Sequence, residues 1–158
     1  MAYKVFLSHS TRDQGLVMAL ANLLTKFKVD VFVAEWQISP GERIAKKVLN
    51  QIEHSDCVVA LLTRHGIRSK WVQQEVRYAL KSKKLLIPLV EQGLGKEALG
   101  ALSRVEYVPY KPDRPEEALK KLATYVQKLQ LKKHEKEEAQ LVVGSLAAFF
   151  LLLYMGKK

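Results

Sequence analysis

Short runs of β-branched and apolar residues alternate along this chain with longer stretches whose apolar positions recur every three or four residues. The first kind reads as buried strands and the second as amphipathic helices. The pattern predicts strands at Lys4–Ser8, Val29–Val33, Cys57–Leu62, Leu85–Val90 and Val105–Val108. It predicts helices near Gln14–Phe27, Glu42–Glu53, Lys70–Ser82, Lys96–Leu102 and Pro115–Leu131. Asp113 and Pro115 signal the start of the last helix, and Leu119, Leu122, Val126 and Leu129 supply its apolar face.

Strict alternation of strand and helix is the signature of parallel strands joined by helical crossovers. Because such crossovers are right-handed, few topologies remain, and five strands lead to the flavodoxin-like order 2-1-3-4-5. Residues 1–131 are therefore read as one doubly wound α/β domain. Its switch point lies between the first and third strands, so Ser8–Asp13 and Thr63–Lys70 should border a crevice at the carboxyl ends of the strands.

Beyond the domain, residues 132–138 are entirely polar and mixed in charge, a linker or an extension of the last helix. From Ala139 to Met155 no residue is charged. As a helix this run spans roughly 25 Å, a little short of a hydrocarbon core of about 30 Å. Residues 139–158 are accordingly expected to form a hydrophobic helix crossing a membrane once, with the α/β domain on the cytoplasmic side. The alternatives are a helix docked on the domain or paired with its own copies, with Gly144 and Ser145 as a small-residue contact.

Composition narrows the chemistry. A chain of 158 residues with one cysteine cannot form an intrachain disulfide, and Cys57 sits in an apolar run that reads as a buried strand. His9, His54, His65 and His134 have no metal-ligand spacing, so no metal is expected. The formal charge of +10 suggests an anionic partner, but the basic residues are spread without an aromatic-interleaved stripe, which argues against nucleic acid. Lys132, Lys133 and Lys136, just before the apolar run, would suit lipid headgroups.

Three segments carry candidate chemistry. In the helix after the third strand, Ser69 is placed to cap the N-terminus, while Val72, Val76, Ala79 and Leu80 form the sheet-facing stripe. Glu75 falls at the edge of that stripe, on the side of Trp71, as a half-buried carboxylate at the crevice. Burial would raise its pKa and the nearby helix N-terminus would lower it, leaving the direction open. The bland reading is a surface Glu paired with a nearby cation. In the loop after the first strand, Ser8, His9, Ser10 and Arg12 gather hydroxyls and a cation at a helix N-terminus, suited to a phosphate or ribose, or else to capping alone. No glycine-rich phosphate loop is present. After the second strand, Trp36 beside Ser39-Pro40-Gly41 reads as a contact surface or a lid, or as an indole folded back on the domain.

Together these segments resemble the TIR (Toll/interleukin-1 receptor) domain family, in particular its prokaryotic branch. Val5-Phe-Leu-Ser-His-Ser is similar to the family's first box, Ser39-Pro-Gly-Glu-Arg-Ile to the loop after its second strand, and Ser69-Lys-Trp-Val-Gln-Gln-Glu to the segment bearing its catalytic glutamate. The resemblance runs from Tyr3 to about Val90. It implies that Glu75 is a catalytic residue that promotes cleavage of NAD+ between nicotinamide and ribose, with NAD+ as substrate and no further cofactor. It further implies that Ser8, His9, Ser10 and Arg12 contact the ligand, with Trp36 or Trp71 stacking on a ring, and that copies associate through the loop Glu35–Arg43. His9 and Ser10 depart from the arginine or aspartate of many members. The apolar C-terminal run lies outside the TIR pattern.

Three functions follow as expectations. The first is an NAD+ nucleosidase of prokaryotic antiviral defence or signalling, activated by self-assembly and releasing ADP-ribose or a cyclic isomer. The second is a non-catalytic interaction module working through the loop around Trp36 and Pro40. The third is another N-glycosidic enzyme, since nucleoside deoxyribosyltransferases use a similar fold and an active-site glutamate.

Overall fold

The computed structural model describes residues 2–34, 44–95, 99, 100, 102 and 104–156. Five parallel strands form one sheet: β1 (Lys4–Ser8), β2 (Asp30–Val33), β3 (Cys57–Leu62), β4 (Leu85–Glu91) and β5 (Val108–Tyr110), in the order β2-β1-β3-β4-β5. The helices are α1 (Gln14–Lys26), α2 (Ile44–Glu53), α3 (Lys70–Lys81) and α4 (Pro115–Gly156), with short 3₁₀ turns at Thr11–Asp13 and Gly66–Arg68. This is the flavodoxin-like, doubly wound arrangement expected from the alternation of patterns.

The period-2 geometry of a strand sends successive side chains to opposite faces, and here each face has its own core. Val5 and Leu7 of β1 and Val59 and Leu61 of β3 pack with Val17, Leu20 and Leu24 of α1 and Leu122 and Val126 of α4. Phe6, Phe32, Val58 and Ala60 pack instead with Val48 and Ile52 of α2 and Val72, Val76 and Ala79 of α3. Phe6 and Phe32 stack with ring centroids 5.4 Å apart. β3 is buried along its whole length because both faces are covered, which explains its unbroken apolar run Cys57–Leu62. Since α1 and α3 leave β1 and β3 toward opposite faces, the loops after these neighbouring strands diverge and open the crevice between them.

The fifth strand is Val108–Tyr110, not Val105–Val108: Val105 closes a turn by donating its N–H to the Leu102 carbonyl, and Val108 and Tyr110 turn inward while Pro109 faces out. An edge strand tolerates that proline because one of its sides has no hydrogen-bonding neighbour. The helix expected at Lys96–Leu102 falls largely outside the described residues, although Leu99 and Leu102 are buried on the α3 face.

At the C-terminus, α4 runs without a break through the polar stretch 132–138 to Gly156. Gln130 donates to the Phe27 carbonyl, and Lys133 reaches both Asp56 Oδ2 at 2.9 Å and the Ala2 carbonyl at 3.2 Å, tying this part of the helix to the sheet. The expected membrane span is overturned: no helix among the described residues is long and apolar enough to cross a membrane. Ala139 to Met155 reaches only about 25 Å, short of the roughly 30 Å hydrocarbon core, and the turns before it carry Lys136, Glu137 and Glu138. With the span go the single-pass localisation and the lipid contact through 139–158.

Candidate functional site

β1 ends at Ser8, paired with Ala60 of β3 at the switch point. Alternation along β1 puts Ser8 on the face of Phe6, the face that α3 covers. Ser8 is 0 % exposed, and among the described residues its Oγ meets no partner at hydrogen-bond distance and angle.

α3 starts where the sequence placed it. Ser69 Oγ accepts the Val72 N–H at 3.3 Å, and the Gln73 side chain donates to the Ile67 carbonyl at 2.9 Å. Val72, Glu75, Val76 and Ala79 are its buried residues, an i, i+3, i+4, i+7 stripe in which Glu75 lies about 50° from the centre. Leu80, counted with that stripe in the sequence reading, is only half-buried, so the stripe turns toward Glu75. The carboxyl is therefore not half-buried at an edge but 6 % exposed. Trp71, one turn earlier, is 48 % exposed, so the indole stays at the surface while the carboxyl goes inside.

Burial pushes the Glu75 carboxyl up to about 8, and the Ser8 hydroxyl draws it partly back. Of the effects weighed from the sequence, desolvation prevails. The Ser8 hydroxyl is thus near enough to act on the carboxyl without holding a formed hydrogen bond to it. No ion pair to Glu75 occurs among the described residues, which removes the reading of a surface glutamate paired with a cation.

The other sequence candidates divide. His9 and Ser10 are buried at the head of the crevice; His9 Nδ1 lies 3.4 Å from the Leu7 carbonyl, and Ser10 Oγ caps the 3₁₀ turn by accepting the Arg12 N–H at 3.2 Å. Arg12 itself is exposed. Trp36 and the loop Glu35–Arg43 lie outside the described residues. Among the described residues no three His, Cys, Asp or Glu side chains could hold a metal ion.

Sequence reasoning missed the brace that joins the two crevice loops. Thr63 Oγ1 donates to Asp13 Oδ2 at 2.6 Å and accepts the Gly66 and His65 N–H groups at 3.0 and 3.2 Å. A threonine directly after a strand hints at a local turn bond, but its carboxylate partner stands 50 positions away, beyond any local pattern. The brace is tight: a Cβ added at Gly66 would lie 2.0 Å from the Leu61 carbonyl oxygen, so only glycine fits where the chain turns back before α3.

A buried, desolvated carboxyl beside an unsatisfied hydroxyl at the carboxyl end of a doubly wound sheet can meet a developing positive charge, or give up a proton to a leaving group. The comparisons with known proteins fit this fold. The C. botulinum CMP N-glycosidase BcmB is 22 % identical over 77 % of this chain and 98 % of its own, with a TM-score of 0.62. The TIR domain of the Toll-related receptor TRR-2 from Hydra magnipapillata is 17 % identical over 80 % and 99 %, at 0.65. The TIR domains of the activated Roq1 resistosome are 14 % identical over 79 % and 99 %, also at 0.65. No curated protein matches the sequence. The family model for the TIR domain matches residues 5–123, most of the chain, and the protein therefore belongs to the TIR domain family.

Proposed function

We propose that this TIR domain is an NAD+ nucleosidase in which Glu75 stabilises the ribosyl cation formed as the nicotinamide–ribose bond breaks. The observation that carries the reading is the Glu75 carboxyl itself, buried at the switch point with no cationic partner among the described residues. In the reaction the bond electrons leave with the ring nitrogen, so nicotinamide departs neutral and needs no proton. The positive charge passes to the ribose, where a nearby carboxylate stabilises it in a dry site. Water then captures C1′ and loses a proton to give ADP-ribose, or a nucleophile of the same molecule closes a cyclic isomer.

The raised Glu75 pKa suits a cationic substrate. In the free domain roughly nine in ten carboxyls are protonated at pH 7, given a pKa of about 8. An opposite charge within about 4–6 Å restores the ionised form, and the pyridinium ring of NAD+ brings that charge with it. Ser8, His9 and Ser10 stand beside the ribose in this reading, and Trp71 offers an exposed ring for stacking. TIR domains self-associate, and assembly through the surface around Glu35–Arg43 would complete the site and switch it on in a prokaryotic defence or signalling response.

One observation favours a second N-glycosidic reading. A carboxyl that is neutral at pH 7 can protonate a departing base, which cleavage of an uncharged nucleotide base requires. The botulinum protein of similar fold is described as a CMP N-glycosidase. A non-catalytic scaffold remains the reading in which Glu75 has no role in the cellular output.

The assay separates all three. Concentrated protein is incubated with NAD+ or with CMP from pH 5 to 9, and released base is measured by chromatography for wild type and Glu75→Ala. Nicotinamide release that needs Glu75 and does not fall as pH rises through 8 supports the NAD+ reading. Base release from CMP that falls through pH 8 replaces it with the proton-donor reading. No release from either substrate, with Glu75→Ala indistinguishable from wild type, leaves the scaffold.

A further inference from the structure

Buried hydroxyls normally find a partner, because leaving one unsatisfied costs about 1–3 kcal/mol. Among the described residues Ser8 breaks that rule, at the switch point of the sheet. It is the last residue of β1, paired with Ala60 of β3, and is completely buried. Its neighbours along the strand are held by the sheet, and on its own face it looks toward α3, where Glu75 is the buried polar residue.

The geometry points to Ser8 as a positioning residue for Glu75: its O–H swings to donate to the Glu75 carboxylate once that group ionises, orienting it toward the substrate. This deepens the reading of Glu75 as the working carboxylate and rests on it. In the free domain the Ser8 hydroxyl has no partner at hydrogen-bond geometry among the described residues, yet it lies near enough to Glu75 to favour the ionised carboxylate. On ionisation the proton leaves to solvent, the carboxylate gains acceptor capacity, and the idle donor meets it.

Other titratable groups around the pair do not substitute for Ser8. His9 precedes the 3₁₀ turn with its ring nitrogen near the Leu7 carbonyl, and Asp13 on that turn is engaged by Thr63. His65 and Arg68 lie on the turn before α3, and Lys70 and Arg77 on α3 itself are exposed. None of them shifts Glu75; burial and the Ser8 hydroxyl account for its displacement.

The test follows Glu75 directly, by carbon-13 NMR titration of its carboxyl in the full chain without substrate, for wild type, Ser8→Ala and Ser8→Thr. Losing a hydrogen bond to a charged acceptor shifts ionisation by about tenfold or more, so Ser8→Ala should titrate at least about one pH unit higher. Ser8→Thr should restore the wild-type midpoint. In NAD+ cleavage, Ser8→Ala should lower kcat with little change in KM, and the acid limb of the kcat profile should move up with the titration. An unchanged Glu75 midpoint in Ser8→Ala, with the domain folded by circular dichroism, overturns the proposal. A midpoint that moves in a protein showing no N-glycosidic cleavage keeps the Ser8–Glu75 pair and sinks the nucleosidase reading instead.

Discussion

A carboxyl held far above its usual range makes stability depend on pH in a way that one substitution can isolate. Glu75 has a folded-state pKa of about 8 against an ordinary value of 4.5, because burial disfavours its charged form. Between those two values the folded protein binds a proton that the unfolded chain has released. Its contribution is therefore fully present below about pH 4.5 and is lost as pH rises toward 8. At about 1.36 kcal/mol per unit the loss amounts to about 1 kcal/mol at pH 5, about 3 at pH 7 and between 4 and 5 at pH 9. Glu75→Gln keeps the shape of the protonated acid and cannot ionise. Every other titrating group is common to both proteins, so the difference between them reports Glu75 alone. Urea unfolding of both at pH 5, 7 and 9 should show the variant's advantage widening by about 4 kcal/mol across the range, on the scale of an ordinary domain's whole stability of 5–15 kcal/mol. Parallel pH profiles would refute the reasoning, because a carboxyl ionised equally in both states has no such slope. In the proposed nucleosidase the gain should come with loss of NAD+ cleavage, since the amide cannot carry the negative charge that a ribosyl cation would require.

The brace between the crevice loops makes two further predictions. Gly66→Ala would force a Cβ to 2.0 Å from the Leu61 carbonyl, so the turn must open; destabilisation of about 1–3 kcal/mol by urea unfolding and a drop in base release are expected, and a neutral result would mean the turn has slack. Thr63→Val preserves shape but strips the donor from Asp13 and the acceptor from the Gly66 and His65 N–H groups; a loss of about 2 kcal/mol with an unchanged m-value is expected, and a change below about 0.5 kcal/mol would show that water replaces the hydroxyl at no cost.

Much of this molecule is legible from pattern alone, for a physical reason. Strands buried on both faces must be apolar throughout, as Cys57–Leu62 is, and the helices between them must show one apolar stripe. Given right-handed crossovers, the sheet order and the two loops flanking the crevice follow, as does Ser69 as the cap of α3. The apolar run from Ala139 to Met155 was legible only as composition, which pointed to a span, whereas no described helix is long and apolar enough to cross. β5 also slipped, because Val105 and Val108 are equally good strand residues and only the turn at Leu102 and the inward faces of Val108 and Tyr110 choose between them.

The sequence by itself determined which residues could meet at the crevice, because helical and strand periods tie Ser8 and Glu75 to particular faces of β1 and α3. How deep Glu75 sits was decided only by tertiary packing: the buried stripe of α3 turns toward Glu75 and leaves Leu80 half-buried. The same is true of the Asp13–Thr63 bond and of the unsatisfied Ser8 hydroxyl. Desolvation and hydrogen bonding depend on what surrounds an atom in three dimensions, and neither a pKa of about 8 nor an idle donor leaves a trace in local periodicity.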